Sequence, residues 1–428
     1  MPRFKLTLLA LACIATSASA DVTYKLPGSE TTFRIGGYIN AGTHQQRGDQ
    51  ADWENIFARQ SAADYYRTVA GNPSSTPGAL AAAKAQYDKT LSASPYWENL
   101  NTSLSDIYFR LRVAAEQPVG DDMKVVAFLE RDFRTKRNDL QTRHIGVNDD
   151  DDDVTRRAFV GISGSFGQVR FGRDESAMDH VRELLYMPIE KDLHEYHVLV
   201  QPVSAMGRHD NSLIYSYDNG KFGVTAGAAF KTQEEFVSES SHSFSAKYVP
   251  VDSLTIAAGY VGGKLKTDTQ GNIVEPDLTF MGLSSFDVSE VFENVAYNPA
   301  FQLDQRQVNI GAAYRIGSVS VGATVFKGKY TLEVKGEDVN RARMTSEHDI
   351  DMRGGQVSLR YAVNDRLSLG ALYTRSKNET SGFSIMNIAS LDAVYSLTPS
   401  ALIYGTIGRN RADASHATIA NAGVRFGF

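Results

Sequence analysis

The sequence predicts an all-β fold, a transmembrane antiparallel β-barrel of about 16 strands with short turns on one rim and long loops on the other. Three observations lead to this prediction. Stretches of alternating apolar and polar residues recur along the chain, the connections between them are alternately short and long, and the last residue is the aromatic Phe428. The 428 residues include 20 Tyr, 21 Phe and 35 Gly, which is typical of β-structure. The net charge of −6 argues against a nucleic-acid partner.

The first 20 residues have the features of a secretory signal peptide. Arg3 and Lys5 supply the positive charge, Leu6–Ala15 is an apolar run too short to anchor the chain, and Ala18–Ala20 is an A-x-A cleavage site. We expect cleavage after Ala20, so that residues 21–428 form a single outer-membrane barrel domain. The cut also removes Cys13, the only cysteine. A lipid anchor on Cys13 is the less favoured alternative, because the residue three positions before it is not the Leu of that motif.

The segment Ser212–Phe230 shows the repeating pattern of the barrel. Leu213, Tyr215 and Tyr217 share one face of a strand, Asn219-Gly220 supplies the positive-φ pair of a tight turn, and the alternation then resumes. A soluble β-sandwich would also alternate. Here, however, the second face is rich in Gly, Ser, Thr, Arg and Lys, as a water-filled lumen requires.

The connections give the number of strands. Seven short turns each join a pair of strands, and a first strand at Thr31–Ala41 and a last strand at Ala417–Phe428 close the ring at 16. The short turns are Pro118–Asp122, Gly164–Phe166, Asp218–Gly220, Pro250–Asp252, Ile316–Gly317, Asn364–Asp365 and Thr398–Pro399. The long connections include Thr43–Ser103, Phe133–Asp153, Asp174–Asp210, Lys264–Asp304 and Thr331–Met352. The first of these holds an Ala-rich stretch, Pro77–Leu91, at helical spacing, which either latches a neighbouring subunit or lines a vestibule.

The alternation also assigns side chains to the lumen, because the apolar set must face lipid. A charge facing lipid at the midplane costs about 2–4 kcal/mol. The inward set therefore forms a pore-lining basic wall with a few acids, among them Glu130, Asp132 and Asp392, and few aromatic residues (Tyr38, Tyr108, Phe128 and Phe159). The basic residues are Arg34, Arg110, Arg112, Lys124, Arg157, Arg170, Lys247, Arg315, Arg360 and Arg425.

The C-terminal strand carries an assembly signal. Asn421, Gly423, Phe426 and Phe428 resemble the polar-x-Gly-x-x-aromatic-x-aromatic ending that the outer-membrane barrel assembly machinery reads. An ordinary edge strand that ends in an aromatic residue is the alternative.

Three segments resemble the general trimeric porins of Gram-negative bacteria. Arg157–Arg173 is similar to the family's hairpin before the constriction loop, Arg208–Tyr215 to the strand after it, and Gly423–Phe428 to its C-terminus. The resemblance implies a homotrimer in contact with outer-membrane lipid and lipopolysaccharide, which passes ions and small hydrophilic solutes passively. It also places Arg173 at the channel wall, through a bulge. The third outer loop lacks the family's Pro-Glu-Phe-Gly-Gly motif.

The resemblance implies that the third outer loop, Asp174–Asp210, folds inward and narrows the pore. Its acids would then face the basic wall and create a transverse field. A solvated outer loop is the alternative. We expect a short amphipathic helix at Asp179–Tyr186. The constriction-loop acids are Asp174, Glu175, Asp179, Glu183, Glu190, Asp192 and Glu195.

Other functions are less favoured. The sequence contains no Gly-x-Ser-x-Gly and no His-Glu-x-x-His motif, which argues against an enzyme. His194-x-x-His197 has metal-ligand spacing but no third ligand, so we expect no metal and no cofactor. The main alternative is a substrate-selective channel of the same fold. Inward arginines would favour organic acids as substrates, and stacked aromatic residues in the lumen would favour oligosaccharides.

Overall fold

The computed structural model describes residues 21–51, 76–93, 97–134, 153–175, 177–186, 208–230, 236–267, 297–337, 343–380, 382, 384–412 and 415–428. Within these ranges no helix is long and apolar enough to cross a membrane.

The dominant feature is a closed antiparallel barrel of 16 strands, β2 to β17, in which each strand pairs with the next and β17 pairs with β2. The predicted barrel and its strand number are confirmed. The strands are β2 (Thr32–Ala51), β3 (Trp97–Pro118), β4 (Lys124–Arg134), β5 (Asp153–Gly164), β6 (Gly167–Glu175), β7 (Arg208–Asp218), β8 (Phe222–Phe230), β9 (Phe236–Val251), β10 (Leu254–Thr267), β11 (Tyr297–Ile316), β12 (Val319–Glu337), β13 (Arg343–Ala362), β14 (Leu367–Asn378), β15 (Ser384–Thr398), β16 (Ala401–Asn410) and β17 (Ser415–Gly427).

Three shorter elements complete the described chain. Strand β1 (Val22–Lys25) pairs with the first residues of β2, helix α1 (Pro77–Ala93) lies between β2 and β3, and helix α2 (Asp179–Arg182) follows β6. Helix α1 matches the predicted Ala-rich helix. Helix α2 is shorter than the expected Asp179–Tyr186, because the chain beyond Arg182 leaves helical geometry to follow the inner wall.

Side-chain exposure follows the predicted alternation. On β5, Val160 is 57% exposed and Ile162 47%, whereas the alternate residue Phe159 is half-buried on the other face. On β9, Phe244 is 48% exposed and its neighbour Ser245 is fully buried. Apolar side chains therefore cover the outside of the barrel, and polar side chains line its inside, as a membrane-spanning barrel requires.

The seven predicted short turns all occur at one rim. At the Asp218–Gly220 turn, the Asn219 side-chain oxygen accepts hydrogen bonds from the backbone N–H groups of Lys221 (3.1 Å) and Phe222 (2.8 Å), and Gly220 has a φ of +86°. The strands rise further at the other rim than the sequence predicted. The expected first loop, Thr43–Ser103, is strand at both of its ends, since β2 and β3 stay paired as far as Ala51 and Trp97.

The first and last described strands, β1 and β17, meet at the barrel seam. The backbone of Phe428 exchanges hydrogen bonds of 2.9 and 3.1 Å with Gly37 on β2, and its ring stacks on Phe109 at a centroid distance of 5.5 Å. Strand β1 pairs with the preceding residues of β2, from Val22 opposite Ile35 to Lys25 opposite Thr32. The N-terminal strand thus covers the edge of β2 that the C-terminal strand leaves open, and every part of β2 is paired.

Candidate functional site

The interior of the barrel is the candidate site, and its chemistry is concentrated on the wall formed by β3 to β6. Two ion pairs join residues that lie directly opposite each other on β3 and β4. Arg110 contacts Asp132, with Nη2 to Oδ2 at 2.7 Å, and Arg112 contacts Glu130 at 2.7 Å. Because Asp132 is only 1% exposed and Glu130 6%, each carboxylate needs its arginine partner.

A bulge adds an arginine that the sequence alternation did not assign to the lumen. Between β4 and β5 the register shifts, so that Glu130 lies opposite Arg157 and Arg131 opposite Thr155. The extra residue, Arg156, reaches Glu130 at 3.0 Å and Asp132 at 3.3 Å. Strict period-two alternation points Arg156 to lipid, and no local sequence signal marks the bulge.

Asp174 holds two further arginines on the same wall. Its carboxylate contacts Arg157 at 2.6 Å and Arg170 at 2.9 Å, and its side chain is 2% exposed. The expected loop boundary is therefore corrected: β6 continues to Glu175, and Asp174 belongs to the wall instead of facing it from a loop. In this cluster five arginines (Arg110, Arg112, Arg156, Arg157 and Arg170) meet three carboxylates (Glu130, Asp132 and Asp174). The wall keeps a surplus of two positive charges.

Inward aromatic rings lie against several of these guanidinium groups. Phe128 and Phe159 stack at 5.4 Å, and the Arg157 guanidinium lies over both rings at 5.0 and 5.4 Å. The guanidinium carbon atoms of Arg425 and Arg110 lie 4.3 and 5.2 Å from the centroid of the Tyr38 ring. Such contacts orient the cations without neutralising them.

The remaining residues of the predicted basic wall fall into two groups. Near the short-turn rim, Glu116 pairs with Arg34 and with Lys124 (3.1 Å), Asp218 pairs with Lys247, and Arg315 lies half-buried next to the end of β11. Deeper in the lumen, Arg425 donates to Asn40 at 3.1 Å and to Tyr108 at 3.2 Å. Arg360 lies over the Tyr186 ring at 5.0 Å.

Arg173 lies where the β6–β7 pairing is irregular. It is opposite Ala158 on β5, and the register with β7 shifts between Gly172 and Asp174, next to Asn211 with a φ of +50°. The side chain is half-buried. The structure thus contains an irregularity at the position where the sequence suggested one.

The segment of residues 177–186, here called the pore segment, lies against the inner wall opposite the arginine cluster. Met178, Val181 and Leu184 pack with Ala257 and Val261, which face inward from β10. Further along, the backbone N–H of Tyr186 donates to Ser358 on β13 at 2.9 Å, and its hydroxyl donates to Asp392 on β15 at 2.5 Å. Burial raises the pKa of the Tyr186 hydroxyl, which keeps it a donor. The pore segment thus spans the inner face from β8 to β15.

Glycines in the wall make room for the pore segment. A Cβ atom on Gly322 would lie 2.0 Å from the backbone oxygen of Leu184, and one on Gly370 would lie 2.2 Å from the Tyr186 ring. A Cβ on Gly259 would lie 2.6 Å from the sulfur of Met178. These distances are far below van der Waals contact, so only glycine allows the segment this close to the strands. These glycines were not among the residues predicted from the sequence.

The pore segment holds one histidine and two acids, and the other acids predicted for this loop lie before or after it. His180 lies 3.2 Å from the Thr225 hydroxyl on β8, and burial together with Lys247 lowers the pKa of its imidazole. Glu175 pairs with Arg182 at 3.2 Å, and Glu183 is exposed. The side chain of Asp179 and the residues Glu190, Asp192, Glu195, His194 and His197 lie outside the described residues. Within the described ranges no group of three His, Cys, Asp or Glu side chains could hold a metal ion.

Comparison with known proteins identifies the group to which this architecture is similar. Residues 6–415 match the sequence model of a family described as Gram-negative porin. A curated relative, porin-like protein L of Photobacterium profundum, is 25% identical over 207 residues, a match that spans 46% of this chain and 54% of that protein. The chain therefore matches only about half the length of this relative.

Solved structures with the same fold are more distant in sequence. The anion-selective porin of Comamonas acidovorans has a TM-score of 0.53 at 14% identity, with coverage of 93% of this chain and all of that one. A trimer form of OmpT from Vibrio cholerae gives 0.52 at 15%, covering 93% and 99%. The outer-membrane channel DcaP of Acinetobacter baumannii gives 0.56 at 12%, covering 95% and 99%.

Proposed function

The chain belongs to the Gram-negative porin family, and we propose that it forms an outer-membrane channel through which ions and small hydrophilic solutes diffuse passively. The observation that carries the proposal is the pore segment inside a closed 16-strand barrel. Proteins of this family are channels, so enzymatic activity is not part of the proposal. In the outer membrane, the short turns of such a barrel would face the periplasm and the long loops would face outward.

The pore segment and the arginine cluster set the channel's narrow part. The segment lies along β8 to β15 and the cluster lies on β3 to β6, so a permeating solute passes between them. Lumen-facing acids on the wall reduce the cluster to a surplus of two positive charges. We therefore propose a moderate preference for anions, weaker than the predicted basic wall alone would give. Acids of the third outer loop would add negative charge from the opposite side of the pore.

A channel selective for organic acids is the second candidate. The Arg157 guanidinium lies over the Phe128 and Phe159 rings, and the Arg170 guanidinium also lies over Phe159, so two cations are held close together on this wall. Arginine is the side chain that binds carboxylates through paired hydrogen bonds. The anion-selective porin among the structural neighbours is in keeping with this reading. For oligosaccharides, an extended row of exposed aromatic faces would be expected. The described lumen offers two aromatic pairs, and arginines lie over both rings of the Phe128–Phe159 pair and over one ring of the Tyr38–Tyr108 pair.

Assembly and targeting follow from the same family membership. We propose a homotrimer, as in the trimer form of the Vibrio cholerae neighbour. We also propose cleavage of the signal peptide after Ala20 and insertion of residues 21–428 as one domain by the barrel assembly machinery, which would read Asn421, Gly423, Phe426 and Phe428. Outer-membrane lipid and lipopolysaccharide would surround the trimer.

Bilayer recordings test the channel and its narrow part together. The purified protein and a variant in which a short flexible linker replaces Asp179–Glu195 are compared for single-channel conductance and for liposome swelling with sugars of increasing size. We expect higher conductance and a larger size cutoff in the variant. Equal conductance in the two proteins would show that the segment does not limit the pore, and absence of channels in the intact protein would overturn the proposed function.

A further inference from the structure

A row of polar side chains crosses the lumen face of four neighbouring strands. Asp392 on β15 lies directly opposite Thr406 on β16. Thr406 lies opposite Asn421 on β17, and Asn421 lies opposite His44 on β2. These four residues, here called the polar row, all lie on the inward faces of their strands. Since neighbouring strands are about 4.8 Å apart, the row is roughly 14 Å long.

Each member of the polar row holds a buried polar atom without a hydrogen-bond partner. Asp392, Thr406 and Asn421 are 6, 5 and 4% exposed. Within the described part of the chain, the atoms that lack a partner are Oδ1 of Asp392, Oγ1 of Thr406, Oδ1 and Nδ2 of Asn421, and Nδ1 of His44. The other carboxylate oxygen of Asp392 accepts the Tyr186 hydroxyl at 2.5 Å. The row therefore begins at the pore segment and runs away from it.

The barrel itself gives no reason for this run of unpartnered atoms. A buried polar group without a partner destabilises a folded protein, and valine or leucine would fill the same positions without that cost. Nowhere else in the described barrel do such atoms belong to residues directly opposite one another on three consecutive strands. The polar row thus calls for a partner that the described chain does not supply.

The polar row and the arginine cluster lie at the same level of the channel. Thr406 is five residues from the short-turn end of β16, and Arg112 is six residues from the short-turn end of β3. Asn421 and Arg112 are two strands apart, because β17 pairs with β2 and β2 pairs with β3. Two strand spacings are about 10 Å, a distance that an arginine side chain and a small solute bridge together. A solute in the narrow part of the channel therefore meets both groups.

We infer that the polar row recognises the hydroxyl groups of polyhydroxylated carboxylic acids, while the arginine cluster holds their carboxylate. A hydroxyl group both donates and accepts a hydrogen bond, so adjacent hydroxyls match the carboxylate, hydroxyl, amide and imidazole of the row. An acid without hydroxyl groups leaves these atoms unpartnered, and a simple anion gains nothing from a row that begins with Asp392.

The row is covered in the resting channel, so its side chains must turn towards the solute. The gain is the pairing of atoms that otherwise have no partner. The inference rests on the proposed channel function and narrows its second candidate, the channel for organic acids, to one class of acid.

Block of the channel by two matched acids tests the inference. Gluconate and hexanoate both have one carboxylate and six carbon atoms, and only gluconate has hydroxyl groups. For each acid we measure the concentration that halves the single-channel current of the purified protein in planar bilayers with potassium chloride. We expect gluconate to act at a concentration about tenfold lower, since about two net hydrogen bonds distinguish the two acids.

Two double variants locate the preference. Thr406→Val/Asn421→Leu removes a hydroxyl and an amide from the polar row, and the tenfold difference should disappear. The matched control, Gln356→Leu/Thr374→Val, removes an inward amide and hydroxyl on β13 and β14 that bond to each other at 3.0 Å. It should keep the difference. Because Asn421 also belongs to the predicted assembly signal, all proteins are refolded from denaturant. If the double variant fails to fold, Thr406→Val alone should reduce the difference to about threefold.

Equal half-blocking concentrations for the two acids in the natural chain would overturn the inference and leave the polar row to bound water. It would also be overturned by an undiminished difference in the polar-row variant, single or double, or by loss of the difference in the control. The reversal potential in a potassium chloride gradient tests the channel separately. An anion preference without discrimination between the two acids defeats the role of the row alone, whereas absence of channels defeats the proposed function.

Discussion

Neutralising the wall carboxylates should strengthen anion selectivity. In Glu130→Gln/Asp132→Asn the five arginines face one carboxylate instead of three, and the surplus rises from two charges to four. A unit charge about 8 Å from an ion in water contributes roughly 0.5 kcal/mol, which physiological salt screens to about 0.2 kcal/mol. Two added charges then change each ion's partition about twofold, in opposite directions for anions and cations. The permeability ratio should shift about fourfold towards anions.

The assay is the reversal potential across a planar bilayer with a salt gradient. A matched control, Arg112→Gln/Glu130→Gln, removes one charge of each sign and leaves the surplus at two. It should keep the natural chain's reversal potential. The carboxylate-to-amide substitutions keep the size of each side chain, whereas Arg112→Gln shortens one, and heat-modifiable migration of the barrel on a gel checks that both variants fold. Higher ionic strength should shrink the difference, because the screening length shortens.

An unchanged reversal potential in Glu130→Gln/Asp132→Asn would refute the reasoning. It would mean that permeating ions do not pass within a screening length of the arginine cluster. A shift of the same size in the control would instead point to a local rearrangement and not to charge.

Three further predictions concern the pore segment and the seam. Gly322→Ala should push the segment off the wall by at least about 1.4 Å, since its Cβ would lie 2.0 Å from a carbonyl oxygen and ordinary contact begins at 3.4 Å. Single-channel conductance should therefore fall. The control Gly405→Ala, at an open lipid-facing position, should leave conductance unchanged. Lowering the pH from 7.5 to 5 should weaken docking of the segment, because a lowered pKa favours neutral His180 and docking is fully present only above the ordinary histidine value of about 6.5. A segment that leaves the wall enters the lumen, so conductance should fall, as in Gly322→Ala, in the natural chain and not in His180→Gln. Deletion of Phe428 should sharply reduce the heat-modifiable barrel in outer membranes, because the seam loses the two hydrogen bonds to Gly37 and a ring stack, whereas Val424→Ala should keep normal levels.

Much of the fold could be predicted from the sequence because its determinants are local. Period-two alternation placed Val160 outward and Phe159 inward, and the Asn219-Gly220 pair located a hairpin. Seven short turns gave 16 strands, because an antiparallel barrel needs one turn for each pair and lipid tolerates no open edge. These inferences need only the neighbours of each residue along the chain.

The charge of the pore was decided by tertiary structure. Alternation showed that Arg110 and Glu130 face inward, but only the register between strands pairs Arg110 with Asp132. A bulge adds Arg156, and the paired length of β6 moves Asp174 from the loop to the wall. Cross-strand register and bulges depend on residues far apart in sequence, so the net charge of the wall is not readable from one strand.

The path of the pore segment was likewise fixed by the assembled barrel. Gly259, Gly322 and Gly370 lie on three separate strands, and each alone resembles the many other glycines of the chain. Only closure of the barrel brings these side-chain-free positions together beneath Met178, Leu184 and Tyr186. The sequence by itself determined which face of a strand meets water wherever the strand has no bulge. The tertiary structure decided which inward positions hold a charge, a partner or a gap, because those properties belong to pairs of strands and not to single ones.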